Sequence, residues 1–104
     1  MPAHEHATDQ PHNAPSAQRF TVHGDFVAES FLELIADRAR WLDLDGWARA
    51  AGSHELVVVA TGPEAMVGAL EMALMLGPLD ALVQDVQARE EIEPIASGFA
   101  VYPV

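Results

Sequence analysis

The chain contains no cysteine, no lysine and no long apolar run, and each absence removes a class of function. Without cysteine there is no disulfide framework, no thiolate nucleophile and no Cys-rich metal site. Without lysine, five arginines stand against 16 acids, a formal charge of -11. A field of that sign repels phosphate backbones and anionic headgroups, which argues against nucleic acid and membrane surfaces as partners. The most apolar stretch, Ala65 to Leu76, is broken by Gly68 and Glu71 and is too short to cross a bilayer. Met1 to Ala17 holds Pro, His, Asp and Asn and no apolar run of the kind an export signal needs, so a soluble, cytoplasmic protein is expected.

Half of the 104 residues are apolar and a fifth are charged, a balance that supports one compact core. Composition changes near Arg19, where a Pro- and His-containing segment gives way to the alternation Phe20-Thr21-Val22 ending at Gly24. This predicts a flexible tail over 1–18 and one domain over 19–104. From Ser30, the spacing of Phe31, Leu34, Ile35, Ala39 and Leu42 predicts a helix, with Ser30 as cap and Glu33 as its box partner. Leu44 to Ala50 and Glu55 to Thr61 read as a strand hairpin turning at Ala51-Gly52-Ser53-His54. A second helix follows Gly62-Pro63-Glu64 and stops at Gly77-Pro78. Ala81 to Val86, with an interruption at Gln84 and Asp85, and Gly98 to Tyr102 supply the last strands. Two strand-helix-strand units with right-handed crossovers then give an α+β, ferredoxin-like (βαββαβ) two-layer sandwich, its antiparallel sheet open on one face.

The spacing of Phe31, Ala39, Leu42, Leu44, Gly46 and Trp47, then Gly62-Pro63, Gly77-Pro78, Ala81, Val83 and Gly98-Phe99, resembles that of the acylphosphatases. The resemblance needs no gap and runs from Arg19 to Pro103. It implies a fold that hydrolyses carboxyl-phosphate anhydrides without metal or cofactor. The implied phosphate cradle is Gly24, Asp25, Phe26, Val27, Ala28, Glu29, Ser30 and Phe31, a loop whose amides meet an anion at a helix start. Family members follow that loop with a phosphate-binding arginine and follow the second strand's Gly-Trp with a water-orienting asparagine. Here those two positions are Leu32 and Ala50, and Asp25 and Glu29 place carboxylates in a loop the family keeps uncharged. Catalysis is therefore expected to be lost, leaving an interaction or regulatory domain. The alternative is a weak or atypical acylphosphatase working with backbone amides alone. Arg49 has the wrong strand parity to replace the lost groups, and Arg38 and Arg40 lie about a helix length from the loop.

Other residues carry weaker signals. Leu56, Val58 and Ala60 should face the helices, which would leave Val57 and Val59 on the open sheet face with Trp47 and Tyr102. Such a patch suits a protein partner or a homodimer, although valine also simply suits strands. His4, His6 and His12 offer imidazoles for a metal but read more simply as part of a solvated tail. His23 reads as a strand residue and His54 as a turn residue, with no third ligand spaced to join either. Asp43, Asp45, Glu90, Glu91 and Glu93 match no cation loop and are expected to form a solvated acidic edge. Met66, Met72 and Met75 are expected to fill the core, the alternative being an adaptable binding surface.

Overall fold

The computed structural model describes residues 14–103. Seven elements follow one another: β1 (Pro15–Asp25), α1 (Ala28–Trp41), β2 (Asp45–Gly52), β3 (Glu55–Pro63), α2 (Glu64–Leu76), β4 (Leu82–Glu90) and β5 (Phe99–Val101). The sheet order is β4-β1-β3-β2-β5. The first four strands pair antiparallel, whereas β5 lies parallel to β2, so the sheet is mixed and not wholly antiparallel. That ending follows from chain direction, because the return from β4 brings the last residues alongside β2 running the same way.

Strand alternation sorts the sheet into two faces. Phe20, Val22, Ala48, Leu56, Val58 and Ala60 join Phe31, Leu32, Ile35 and Ala39 of α1 and Val67, Leu70 and Leu74 of α2 in one hydrophobic cluster. Both helices therefore cover the same face, as the ferredoxin-like pattern requires. α1 begins two residues earlier than the spacing predicts, and its N-cap is Val27 with no side-chain cap. Ser30 does not cap: its hydroxyl donates to the Val27 carbonyl at 3.2 Å and to the Asp80 carboxylate at 2.9 Å. Glu29 in the first turn and Arg38 and Arg40 in the last complement the helix dipole instead.

β1 starts at Pro15, four residues inside the segment expected to be tail. Ser16, Ala17 and Gln18 lack the alternation that signals a strand, yet they pair with Gly62, Thr61 and Ala60. Thr61 Oγ1 donates to the Ser16 carbonyl at 2.8 Å and the Glu91 amide donates to Ala17 at 3.0 Å, so backbone pairing holds a stretch that hydrophobicity does not mark. His4, His6 and His12 lie outside the described residues. On the other side of β1, His23 pairs with Asp85 and Gly24 with Val83, which leaves Gln84 as the extra residue of a bulge in edge strand β4. Gly24 is the close point there, since a Cβ on it would sit 2.2 Å from the Leu82 carbonyl oxygen. No helix among the described residues is long and apolar enough to cross a membrane.

Candidate functional site

The segment from Gly24 to Phe31, expected as a loop, is the end of β1, the two residues Phe26 and Val27, and the first turn of α1. Phe26 packs edge-on against Phe31, ring centroids 5.4 Å apart, which ties the loop to the core. The β2–β3 turn closes over its beginning: the Gly24 amide donates to the His54 carbonyl at 3.1 Å, and His54 Nδ1 lies 3.2 Å from the Gly24 carbonyl and 3.1 Å from Asp25 Oδ1. His54, expected to be only a turn residue, thus clamps the loop. At the other end the amides of Ala28, Glu29 and Ser30 open α1, where a helix has no internal acceptors for them.

Asp25 at the end of β1 and Glu29 in the first turn of α1 are exposed, and Asp80 is bonded to Ser30. Among the described residues no guanidinium bonds to the loop: Arg19 holds Glu91 and Arg40 donates to the Phe99 carbonyl at 3.2 Å. Leu32 is 2% exposed and belongs to the hydrophobic cluster. Ala50, paired with Leu56, is half-buried against the same cluster. A phosphoryl group seated on the first-turn amides would therefore meet hydrocarbon on one side and carboxylates on the other. Leu32 also lines a cleft of about 400 Å³ between α1 and β5, with Ala36, Val101 and Tyr102 beside it and the charged Glu29, Glu33 and Arg40 along α1.

The second candidate site is corrected by the structure. Val57 and Val59 are not exposed on the open sheet face; they retain 6% and 1% of their surface. Trp47 and Arg19 flank Val59 in register, and Arg49 and Thr21 flank Val57. The guanidinium carbons of Arg19 and Arg49 lie 5.4 and 5.7 Å from the Trp47 ring centroid, and Tyr102 meets that ring at 6.0 Å. Long side chains from neighbouring strands thus roof the valines, and the face presents a cation–π layer in place of an aliphatic patch. Arg19 is fixed by Glu91, Nε to Oε1 2.7 Å, in a pair whose side chains are mostly buried. The Arg19 hydrogen bond is the main cause of a Glu91 pKa below its usual range, against an opposing push from burial. Glu91 is therefore a structural anchor and not part of a solvated edge. Asp45 is structural as well, since its Oδ1 accepts the Gly98 amide at 2.8 Å.

The methionines are corrected too. Met66, Met72 and Met75 are exposed, and the core side of α2 is filled by Val67, Leu70 and Leu74. A helix with only Glu64 and Glu71 charged buries one stripe against a sheet and must show the rest of its apolar surface. The ion pair of Arg19 with Glu91 spans 72 positions and leaves no local sequence signal.

Comparison with known proteins agrees with this architecture. The family model described as Acylphosphatase matches residues 18–101. Acylphosphatase 2 of Ralstonia nicotianae is 33% identical over 84 residues, covering 80% of this chain and 88% of that protein. An acylphosphatase structure from Coxiella burnetii superposes with a TM-score of 0.79 at 27% identity, covering 89% of this chain and 98% of that one. The Bacillus subtilis acylphosphatase shares the fold at a TM-score of 0.77 and 20% identity, covering 86% of this chain and all of that one (100%). The order of its strands and these matches together make the chain a member of the acylphosphatase family.

Proposed function

We propose that this domain is a non-catalytic member of its family and acts by binding a protein partner. The observation that carries the reading is Leu32, buried in the hydrophobic cluster at the position where the family's arginine holds phosphate. Loss of one preorganised donor costs about 3–4 kcal/mol of barrier, roughly a hundred- to a thousand-fold in rate. Ala50 removes the water-orienting group as well, although the two losses need not add. Asp25 and Glu29 further disfavour a phosphoryl anion by like-charge repulsion, damped by solvent.

A second reading, a weak or atypical acylphosphatase, rests on the first-turn amides of α1, which keep an anion-binding backbone. Hydrolysis of benzoyl phosphate by metal-free protein separates the two. The non-catalytic reading expects wild-type turnover at the buffer rate and a measurable gain in the Leu32→Arg/Ala50→Asn variant, whose arginine has the 400 Å³ cleft to extend into. Wild-type turnover well above buffer would overturn it. Circular dichroism checks that the variant, which gives up a buried leucine, remains folded.

A further inference from the structure

The exposed side of α2 carries apolar side chains that nothing described so far uses. Met72, Met75 and Leu76 are 65%, 52% and 79% exposed and stand at i, i+3 and i+4, which puts them on one helix face. Leu79, just beyond the helix, and Leu82, which opens β4, are exposed as well. Beside the stripe runs a shallow groove of about 260 Å³ between α2 and β4, with Met75 on one side and Val83, Val86 and Asp85 on the other. Met72, Met75, Leu76 and Leu79 are four exposed large apolar side chains at or just beyond the C-terminal end of α2, whereas Leu82 alternates with core-facing Val83 and points to the other face of the sheet.

Charge selects the occupant. From residue 50 to residue 88 the chain has five acids and not one lysine or arginine; Glu64 and Glu71 stand on α2 itself, Asp80 just beyond it, and Glu55 and Asp85 flank His23 on the other face of the sheet. A second copy would bring another charge of -11 to the same surface, and residues 1–13 offer Met1 as their one large apolar side chain. A helix with an apolar stripe and a basic remainder matches both the methionine-rich face and the field around it, and methionine's flexible thioether adapts to varied side chains. We infer that α2 and the α2–β4 groove dock a basic amphipathic helix of a partner protein. The inference rests on the non-catalytic, partner-binding reading and gives that reading a site away from the cradle.

The test uses a labelled 18-residue peptide with leucines at helical i, i+3, i+4, i+7 spacing and lysines elsewhere. One control carries glutamates for the lysines; another has the same composition with the leucines scrambled off the stripe. Fluorescence anisotropy with the full chain should show micromolar binding of the striped basic peptide and at least ten-fold weaker binding of both controls. Met72→Glu/Leu76→Glu should weaken binding at least ten-fold although it adds negative charge, a sign that electrostatics alone would reverse. Ile92→Glu, at an exposed site that does not line the groove, should leave binding unchanged. Equal binding of the scrambled peptide, or of the double variant, would overturn the inference. So would a wild-type dimer, or adsorption to phosphatidylcholine vesicles, that the double variant abolishes, because each would put a different occupant on the stripe. Benzoyl phosphate turnover by the wild type with striped-peptide binding intact would remove the non-catalytic reading and leave the docking surface standing. No turnover with no peptide binding would do the reverse.

Discussion

Gly46→Ala should cost this domain a substantial part of its stability. Gly46 sits where three strands meet, paired with Ala60 of β3 and Phe99 of β5, and its amide donates to the Gly98 carbonyl at 2.9 Å. Its φ is +148°, and a Cβ added there would lie 1.9 Å from the Val59 carbonyl oxygen and 2.8 Å from the Val59 carbonyl carbon. The obstacle is sheet backbone, so no side chain can rotate away; β2 or β3 must shift by more than 1 Å, roughly the gap to ordinary contact. Backbone strain at such a φ is worth about 1–3 kcal/mol and overpacking about 1–3 kcal/mol, so ~2–6 kcal/mol together. A domain of this size has about 5–10 kcal/mol in all, and each kcal/mol moves Tm by about 4–8 °C, so a fall of ~8 °C or more is expected. Gly52→Ala is the control, because Gly52 has φ +157° but nothing within 4 Å of its Cβ position. It should cost ~1 kcal/mol from strain alone. Thermal melts by circular dichroism decide: a Gly46→Ala loss no larger than that of Gly52→Ala would refute the claim that close approach to Val59 demands glycine.

Two further perturbations test other parts of the structure. Glu91 has a folded pKa depressed below its ordinary value near 4.5, so its stabilising contribution is present above that value and is lost as pH falls through the lower folded pKa. The wild type should therefore melt above Glu91→Gln near neutrality and approach it as pH falls below the ordinary carboxylate value and through the lower folded one, and an undiminished gap in acid would show that ionisation of Glu91 is not what holds Arg19. Gly68→Ala, in the interior of α2 with nothing within 4 Å of the added Cβ, should stabilise by about 0.8–1 kcal/mol and raise Tm by several degrees. A lower Tm would mean that the helix tolerates glycine there for a packing reason.

The element order was legible because each helix is bracketed by local chemistry: Pro63 and Gly77 around α2, and the spacing of Phe31, Ile35 and Ala39 along α1. The bulge at Gln84 was legible too, since two polar residues interrupt an apolar alternation. The start of β1 was not, because Ser16 to Gln18 are held by backbone pairing that their side chains do not announce. The parallel placement of β5 depends on where a distant segment returns. Leu32 and Ala50 could be singled out by position, but that both join the hydrophobic cluster is a fact of packing.

The two surfaces exchanged roles for one physical reason. Strand parity correctly places Val57 and Val59 on the face away from the helices, yet parity says nothing about how far the flanking side chains reach. Arg19, Arg49 and Trp47 come from both neighbouring strands and cover the valines, so a charge there would be buried rather than displayed, and Val59→Glu would report on folding and not on association. On α2 the error runs the other way. A methionine reads as core when the helix is apolar all round, but a two-layer fold gives a helix one sheet to pack on, and Val67, Leu70 and Leu74 already occupy that contact. The remaining apolar face stays in water unless something covers it. If the domain acts through a partner, as proposed, the uncovered stripe of α2 is a stronger candidate surface than the roofed valines of the sheet.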